Sequence, residues 1–381
     1  MRTRISKDFQ SWDAIGDHRT GTKGDELTAQ WINSELRQLG LEPVTDWFDF
    51  QRRVLHECYV ACADKRADGV PLFDGGYTDA AGLQAPLSNL GGTSDIGLTL
   101  FGPGPWHPGT KDLEQARRKD AHQAIVAVAA GDLVRPGLSL LNADSYTEPY
   151  GPPVLQVATE HLQWLEAARD AAEPVRLVAH VTYAHTQASN VQARISGADT
   201  SLPPLVIMTP RSAWWTCTSE RGGGISLWLE CARHFAANRP DRTVIFTANT
   251  GHELGHVGLQ RYLDSVPELV NHAHAWVHLG ANFAAMDSDL RFQASRQELM
   301  SQGLAALTAR GIDERIVTPL GERPLGEARN IYDGGGNYVS LLGNNRLFHH
   351  PEDRWPEAVD LDRTLALNQA MLEVVDRLAR V

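Results

Sequence analysis

Cysteine is scarce: Cys58, Cys62, Cys217 and Cys231 are the four in 381 residues. So few, at such uneven spacing, exclude a disulfide framework and point to a reducing compartment. Cys58 and Cys62 lie close enough to chelate a metal, but no second pair follows, which favours buried thiols. Positive charge is also short, with 35 Lys and Arg against 47 Asp and Glu and a net charge of −12. That balance argues against nucleic acid or an anionic membrane as the main partner. No apolar run approaches the roughly 20 residues that cross a bilayer. The opening MRTRISKDFQSWDAIG lacks the apolar core of a signal peptide. These absences lead to the expectation of a cytoplasmic protein acting on a small molecule, with a homo-oligomer left open.

What is present fits one large α/β domain and a smaller one. A polar loop, Gly16 to Gly21, leads into an amphipathic helix carrying Leu27, Trp31, Leu36 and Leu39 and stopped at Gly40. Asp17, His18 and Arg19 in that loop read as a solvated helix entry. Between 56 and 186 Pro and Gly become frequent, and short apolar runs alternate with turns. Ala124 to Ala130, Val154 to Val157 and Val175 to Val181 read as strands there, and Glu160 to Ala172 as a helix. Asn190 to Ile195, Pro204 to Met208, Thr243 to Ala248 and Ala275 to Leu279 read as strands of a main sheet. Leu361 to Leu378 reads as a closing helix.

The chain is organised around residues 242–263, RTVIFTANTGHELGHVGLQRYL. A buried strand there ends in a small-residue turn that delivers His252 and Glu253 to the carboxyl end of the sheet, where open α/β folds place their chemistry. One reading is literal. His252, Glu253 and His256 satisfy H-E-x-x-H, with two zinc-binding histidines and a Glu base. No further His follows between Val257 and Tyr262, so a third ligand is not supplied nearby.

The other reading takes the whole stretch. Strand, turn, acidic pair and Leu-Gly resemble the co-catalytic zinc aminopeptidase family, the leucyl aminopeptidase and glutaminyl cyclase-like enzymes. In that family a Glu-Glu-Leu-Gly turn carries a general base and then a metal ligand, which here correspond to His252 and Glu253. The resemblance covers 12–50 and 187–381. It implies a three-layer α/β/α fold with a mixed, mostly parallel sheet, formed by residues 1–55 and 187–381. Residues 56–186 resemble a protease-associated domain inserted near the active-site entrance. Trp106, His107, Tyr146 and Tyr150 lie in that insert and receive no individual role.

The resemblance also shows what has changed. Thr209 and Gly280 stand where both private ligands of a second metal are expected, with Asn282 near the latter. Glu220 takes the position of a bridging Asp, and His349, in LFHHPED, that of the last ligand of the first metal. Losing one set while keeping the other implies a mononuclear centre of Glu220, Glu253 and His349, joined by His252 as ligand or acting as base. One divalent metal ion is expected, zinc first, with iron or manganese as alternatives, because two His and carboxylates also resemble an iron facial triad. His256, His278 and His350 are read as neighbours. Arg211, at a strand end beside Trp214 and Trp215, is a candidate carboxylate anchor or anion stabiliser; a buried pair with Glu220 or Asp333 is its plainer role. Arg221, Glu327 and Tyr338 are candidates for the pocket wall, and Gly334 to Gly336 suit either a close approach to ligand or a plain turn. The expectation is a metal-dependent hydrolase of an amide or related C–N bond in a small, carboxylate-bearing molecule. The alternatives are an inactive binding protein or a non-hydrolytic single-metal enzyme, a lyase or a non-haem iron oxygenase.

Overall fold

The computed structural model describes residues 1–104, 107–119, 121–132 and 134–381; Trp106 lies outside them. The main sheet is built from β7 (Pro174–Ile195), β8 (Leu205–Pro210), β9 (Val244–Asn249), β10 (Ala275–Leu279), β11 (Leu290–Ala294), β12 (Ile316–Val317) and β13 (Tyr338–Gly343), in the order β7-β9-β8-β10-β13-β11-β12. The pairs β9–β8, β8–β10 and β10–β13 are parallel, and antiparallel strands flank them. Strands β8, β10 and β13 are buried along their whole length, as apolar runs covered on both faces must be.

Helices supply the covers. On one face, α1 (Arg2–Ile15), α2 (Lys23–Gln38), α5 (Thr218–Ala237), α8 (Gln297–Thr308) and α10 (Leu361–Ala379) pack into one large core. On the other, α6 (Val257–Ser265), α7 (Leu269–His272) and α9 (Ala328–Asp333) enclose Val206, Met208 and Trp276. This is the expected three-layer architecture. α1 was not apparent in the polar opening, yet Ile5, Phe9 and Trp12 recur at helical spacing and are fully buried.

The remaining strands are β1 (Val44–Cys62), β2 (Lys65–Pro71), β3 (Leu83–Asn89), β4 (Ile96–Phe101), β5 (Ala124–Ala129) and β6 (Val154–Val157). Pairings β1–β2, β2–β6, β6–β5, β5–β4, β4–β3, β3–β7 and β7–β1 close them into a ring with β7. Two helices, α3 (Pro108–Lys119) and α4 (Leu162–Asp170), pack on it. The segments Val175 to Val181 and Asn190 to Ile195, read separately in the sequence, are parts of one 22-residue strand. Its middle is partly exposed and polar, which hid it. β1 pairs with β7 from Val44↔Gln192 to Ala61↔Arg176, with a register shift between Leu55 and Cys58. Positions 56 and 186 therefore fall within strands that run from the main sheet into the ring.

Candidate functional site

Four loops at one end of the sheet bring the candidate residues together. β8 ends at Pro210 and leads to Arg211 and Ser212; α5 carries Glu220 and Arg221 on its first turn; β9 delivers His252 and Glu253; and the segment after β13 carries His349. Helix α5 comes close because its glycines permit it. A Cβ on Gly222 would lie 2.7 Å from the Phe9 ring, and one on Gly223 2.6 Å from the Ala284 methyl. Asp353 caps the same helix start, its Oδ1 and Oδ2 accepting from the Ser219 and Glu220 N–H groups at 2.8 and 3.0 Å. Burial pushes the Asp353 carboxyl up to about 7 despite those donors.

The centre of this cluster is Arg221. Its Nη2 donates to Glu253 Oε1 at 2.7 Å and lies 2.9 Å from Glu220 Oε1, an ion pair without hydrogen-bond alignment. Its Nε donates to the Ser212 carbonyl at 2.8 Å. Ser212 completes the set, its hydroxyl donating to Glu253 Oε2 at 2.6 Å and accepting from the His252 N–H at 3.1 Å. Burial alone would raise Glu220, but Arg221 and then His349 beside it hold the carboxyl down at about 2. His349 Nδ1 donates to the Leu140 carbonyl at 2.6 Å, which turns Nε2 toward Glu220 Oε1, 3.4 Å away. Both of these facing atoms are buried without a hydrogen-bond partner.

A metal ion held by Glu220, Glu253 and His349 would sit where those donors converge. The orientation of His349, with Nδ1 tied to a carbonyl and Nε2 free, suits ligation. The carboxylates do not, because the point between them is held by the Arg221 guanidinium. Zinc–oxygen bonds of about 2.0–2.2 Å leave no room for Nη2 at its present distances. With Arg221 in this position the residues do not accommodate the ion. A second convergence, of Cys217, Glu220 and Asp353, brings one ligand atom of each within 4.8 Å of the others, but both Asp353 oxygens are committed to α5.

His252 faces the other way from Glu253. Its Nδ1 lies 3.2 Å from Glu327 Oε1, and its ring stacks on His256 with centroids 4.7 Å apart. His252, His256 and His278 line one cavity of about 460 Å³, with Asn282 and Arg329 from the main body and Lys111, Glu114 and Arg118 from α3. Burial lowers His252 well below its ordinary range, aided by Arg221, and takes His256 and His278 down to about 3. Burial pushes Glu327 up to about 8, with Arg221 opposing. Gln293 donates to Ser340 Oγ at 3.0 Å, and Ser340 Oγ lies 2.8 Å from His278 Nδ1. Ser340 Oγ can donate to Nδ1 or accept from it, and in either case His278 Nε2 is buried with no partner.

Comparison with solved structures decides the fold. The zinc aminopeptidase BSAP of Bacillus subtilis superposes with a TM-score of 0.78 at 17% identity, covering 100% of this chain and 95% of that one. The fold is that of the zinc aminopeptidases. The aminopeptidase of Aneurinibacillus sp. strain AM-1 gives 0.74 at 15% identity, over 100% and 94% of the two chains. No family model matches the sequence. A vacuolar membrane protease of Clavispora lusitaniae is 25% identical over 182 residues, 47% of this chain and 15% of that protein's length. Among the described residues no helix is long and apolar enough to cross a membrane.

On this aminopeptidase scaffold, the H-E-x-x-H reading fails on backbone. His252 to Leu254 form a single 3-10 turn, and Gly255 and His256 are left-handed, so the motif is not one helix. The places expected for a second metal are closed up: the Thr209 hydroxyl donates to the Leu279 carbonyl at 2.8 Å, with Gly224 of α5 against them. Arg211 is not a substrate anchor. Its guanidinium is fully buried, donating to Asp25 Oδ1 at 2.7 Å and to Ser189 Oγ at 3.1 Å, a partner that neither plainer pairing named. Trp215 is turned to the His349 carbonyl at 3.0 Å. Trp214 packs on Phe73 and lines a separate cavity of about 330 Å³ with Asp17, Arg19, Arg53 and Glu253. Tyr338 lies in the core beside Tyr332, and Gly334 and Gly336 pack on Val270, a plain turn. Arg221 is not in the pocket wall but in the centre, whereas Glu327 backs the cavity through His252. His256 and His278, read as neighbours, line that cavity. Their signal was positional: each lies within a few residues of a catalytic position of the family pattern.

Proposed function

We propose that the chain is a peptidase-like hydrolase that cleaves an amide or related C–N bond of a small, carboxylate-bearing molecule. Zinc aminopeptidases share its fold, and the curated relative it matches is named a protease; both support a hydrolase of metallopeptidase descent. The observation that carries the site is the His252–Glu327 pair facing the cavity. His252 stands at the base position of the family turn, and Lys111 offers a cation for a substrate carboxylate, while Arg118 and Arg329 nearby are paired with Glu114 and Asp144. We place this activity in the cytoplasm, a reading supported by four free, buried cysteines. We read residues 56–186 as a protease-associated-like insertion whose α3 shapes the entrance.

Glu327 and His252 share a labile proton between Oε1 and Nδ1. Once it is lost, Glu327 accepts from Nδ1–H and Nε2 presents a lone pair to the cavity. Nε2 takes a proton from water as the water oxygen adds to the carbonyl carbon. It then passes that proton to the leaving nitrogen as the C–N bond breaks. With Ser340 donating to Nδ1, His278 carries its proton on the unpartnered Nε2, which supplies a donor for the developing oxyanion. A mononuclear metal centre, the arrangement the sequence suggests, would require Arg221 to leave its carboxylates. Screening dipeptides and N-acyl amino acids for amine release tests this reading. His252→Ala should lose about 10²–10⁴-fold in turnover while leaving the melting temperature within a few degrees. Undiminished turnover in that variant would sink the proposal. The filled centre favours a second reading, a binding protein. Saturable binding of the same compounds with no turnover by wild type would select it.

A further inference from the structure

We propose that the Arg221 guanidinium is the resident cation of this centre, standing where a metal would otherwise join Glu220, Glu253 and His349. The inference does not depend on whether the chain turns over a substrate. Three observations carry it. Arg221 directly follows Glu220 on the first turn of α5, and one nitrogen, Nη2, lies within 2.9 Å of Glu220 Oε1 and 2.7 Å of Glu253 Oε1. The side chain is also fixed at a second point, Nε on the Ser212 carbonyl, so the nitrogen is aimed rather than loosely placed. All three charged side chains have exposures of 4% or less, so no water-facing position competes for the guanidinium.

The chemistry suits the exchange. Two buried carboxylates facing each other need a cation between them, and a guanidinium supplies a permanent charge with directional donors and a low cost of leaving water. It cannot supply an open coordination position or lower the pKa of a bound water. The centre thus keeps the electrostatic job of the metal and gives up its Lewis acidity. Proton transfer is left to groups in the neighbouring cavity.

The test uses the full chain, dialysed against zinc chloride and then metal-free buffer, with elemental analysis and thermal melting. Wild type is expected to retain no zinc and to melt at the same temperature with zinc or chelator. Arg221→Asn should melt roughly 5–10 °C lower, take up about one zinc per chain, and recover much of the lost melting temperature. Adding His349→Ala to that variant should abolish the uptake. Wild type holding about one zinc per chain, lost on His349→Ala, would overturn the proposal. So would a folded Arg221→Asn that binds none. If Arg221→Asn does not fold, the wild-type zinc content decides alone.

Discussion

At the residue scale, what sets each charged side chain's role is the partner it reaches, and Arg211 shows how far that can depart from its address. It stands at the carboxyl end of a central strand, beside the site, and its charge is spent on Asp25 at the start of α2. Thr250 donates to the same Asp25 oxygen at 2.9 Å and the Gly21 N–H to the other, also at 2.9 Å, so the pair ties the helix entry to the sheet end. Breaking one partner leaves an uncompensated buried charge. Arg211→Met is therefore expected to cost about 3–5 kcal/mol of unfolding free energy, read from denaturant titration. Asp25→Asn should lose a similar amount, and the double variant less than the sum. A change below about 1 kcal/mol in either single variant would show that the pair is not what holds the helix entry. The family resemblance placed Glu220, Glu253 and His349 together, and the converging strand ends of the structure do the same. The resemblance did not reveal Arg221 between them. Nothing local distinguishes an arginine that points at solvent from one that turns back onto two carboxylates.

At the element scale, the legible parts were those with an unbroken period. β8, β10 and α10 fall within two residues of where apolar runs and helical spacing put them. The reason for the Gly-rich start of α5 was not legible. Gly222, Gly223 and Gly224 set how closely the helix lies on α1 and on the sheet end, and thereby how far Glu220 and Arg221 reach. Gly223→Val brings branched carbons against Ala284 and Phe283, contacts the backbone must yield to. The expected loss is about 1–3 kcal/mol, with Arg221 displaced along with the helix start. A thermal melt and a crystal structure of the variant check both parts. Unchanged stability would mean that the helix start has slack. The turn after β9 misled in the other direction. Its H-E-x-x-H spelling matches a helical motif, whereas Gly251 and Gly255 allow left-handed backbone on either side of the 3-10 turn.

At the scale of the whole molecule, burial of ionisable groups around the site makes stability depend on pH in a direction that can be worked out. Glu327 rises from an ordinary 4.5 to about 8 and Asp353 from 3.8 to about 7, each chiefly because it is buried. Below about pH 4 the folded and unfolded chains both hold these protons, and the two groups impose no penalty. As pH rises, the unfolded chain releases them first, so their share of stability is lost progressively up to about pH 8. Glu220 works oppositely. Its carboxyl is held near 2, so it favours the folded chain above its ordinary pKa and loses that contribution only in acid. The buried His252, His256 and His278, held below their ordinary 6.5, work the other way and add stability as pH rises toward that value, so the denaturation midpoint is expected to fall only between about pH 7 and 8. Glu327→Gln, which keeps the shape of the protonated acid, should flatten part of that fall and stand above wild type at pH 8. It should also lose the alkaline rise in turnover expected when the His252–Glu327 pair gives up its shared proton. Denaturant titrations of both proteins across this range decide it. Parallel curves would mean that Glu327 ionises as freely in the folded chain as in the unfolded one, and the pair could not then hold the proton that the proposed hydrolysis requires.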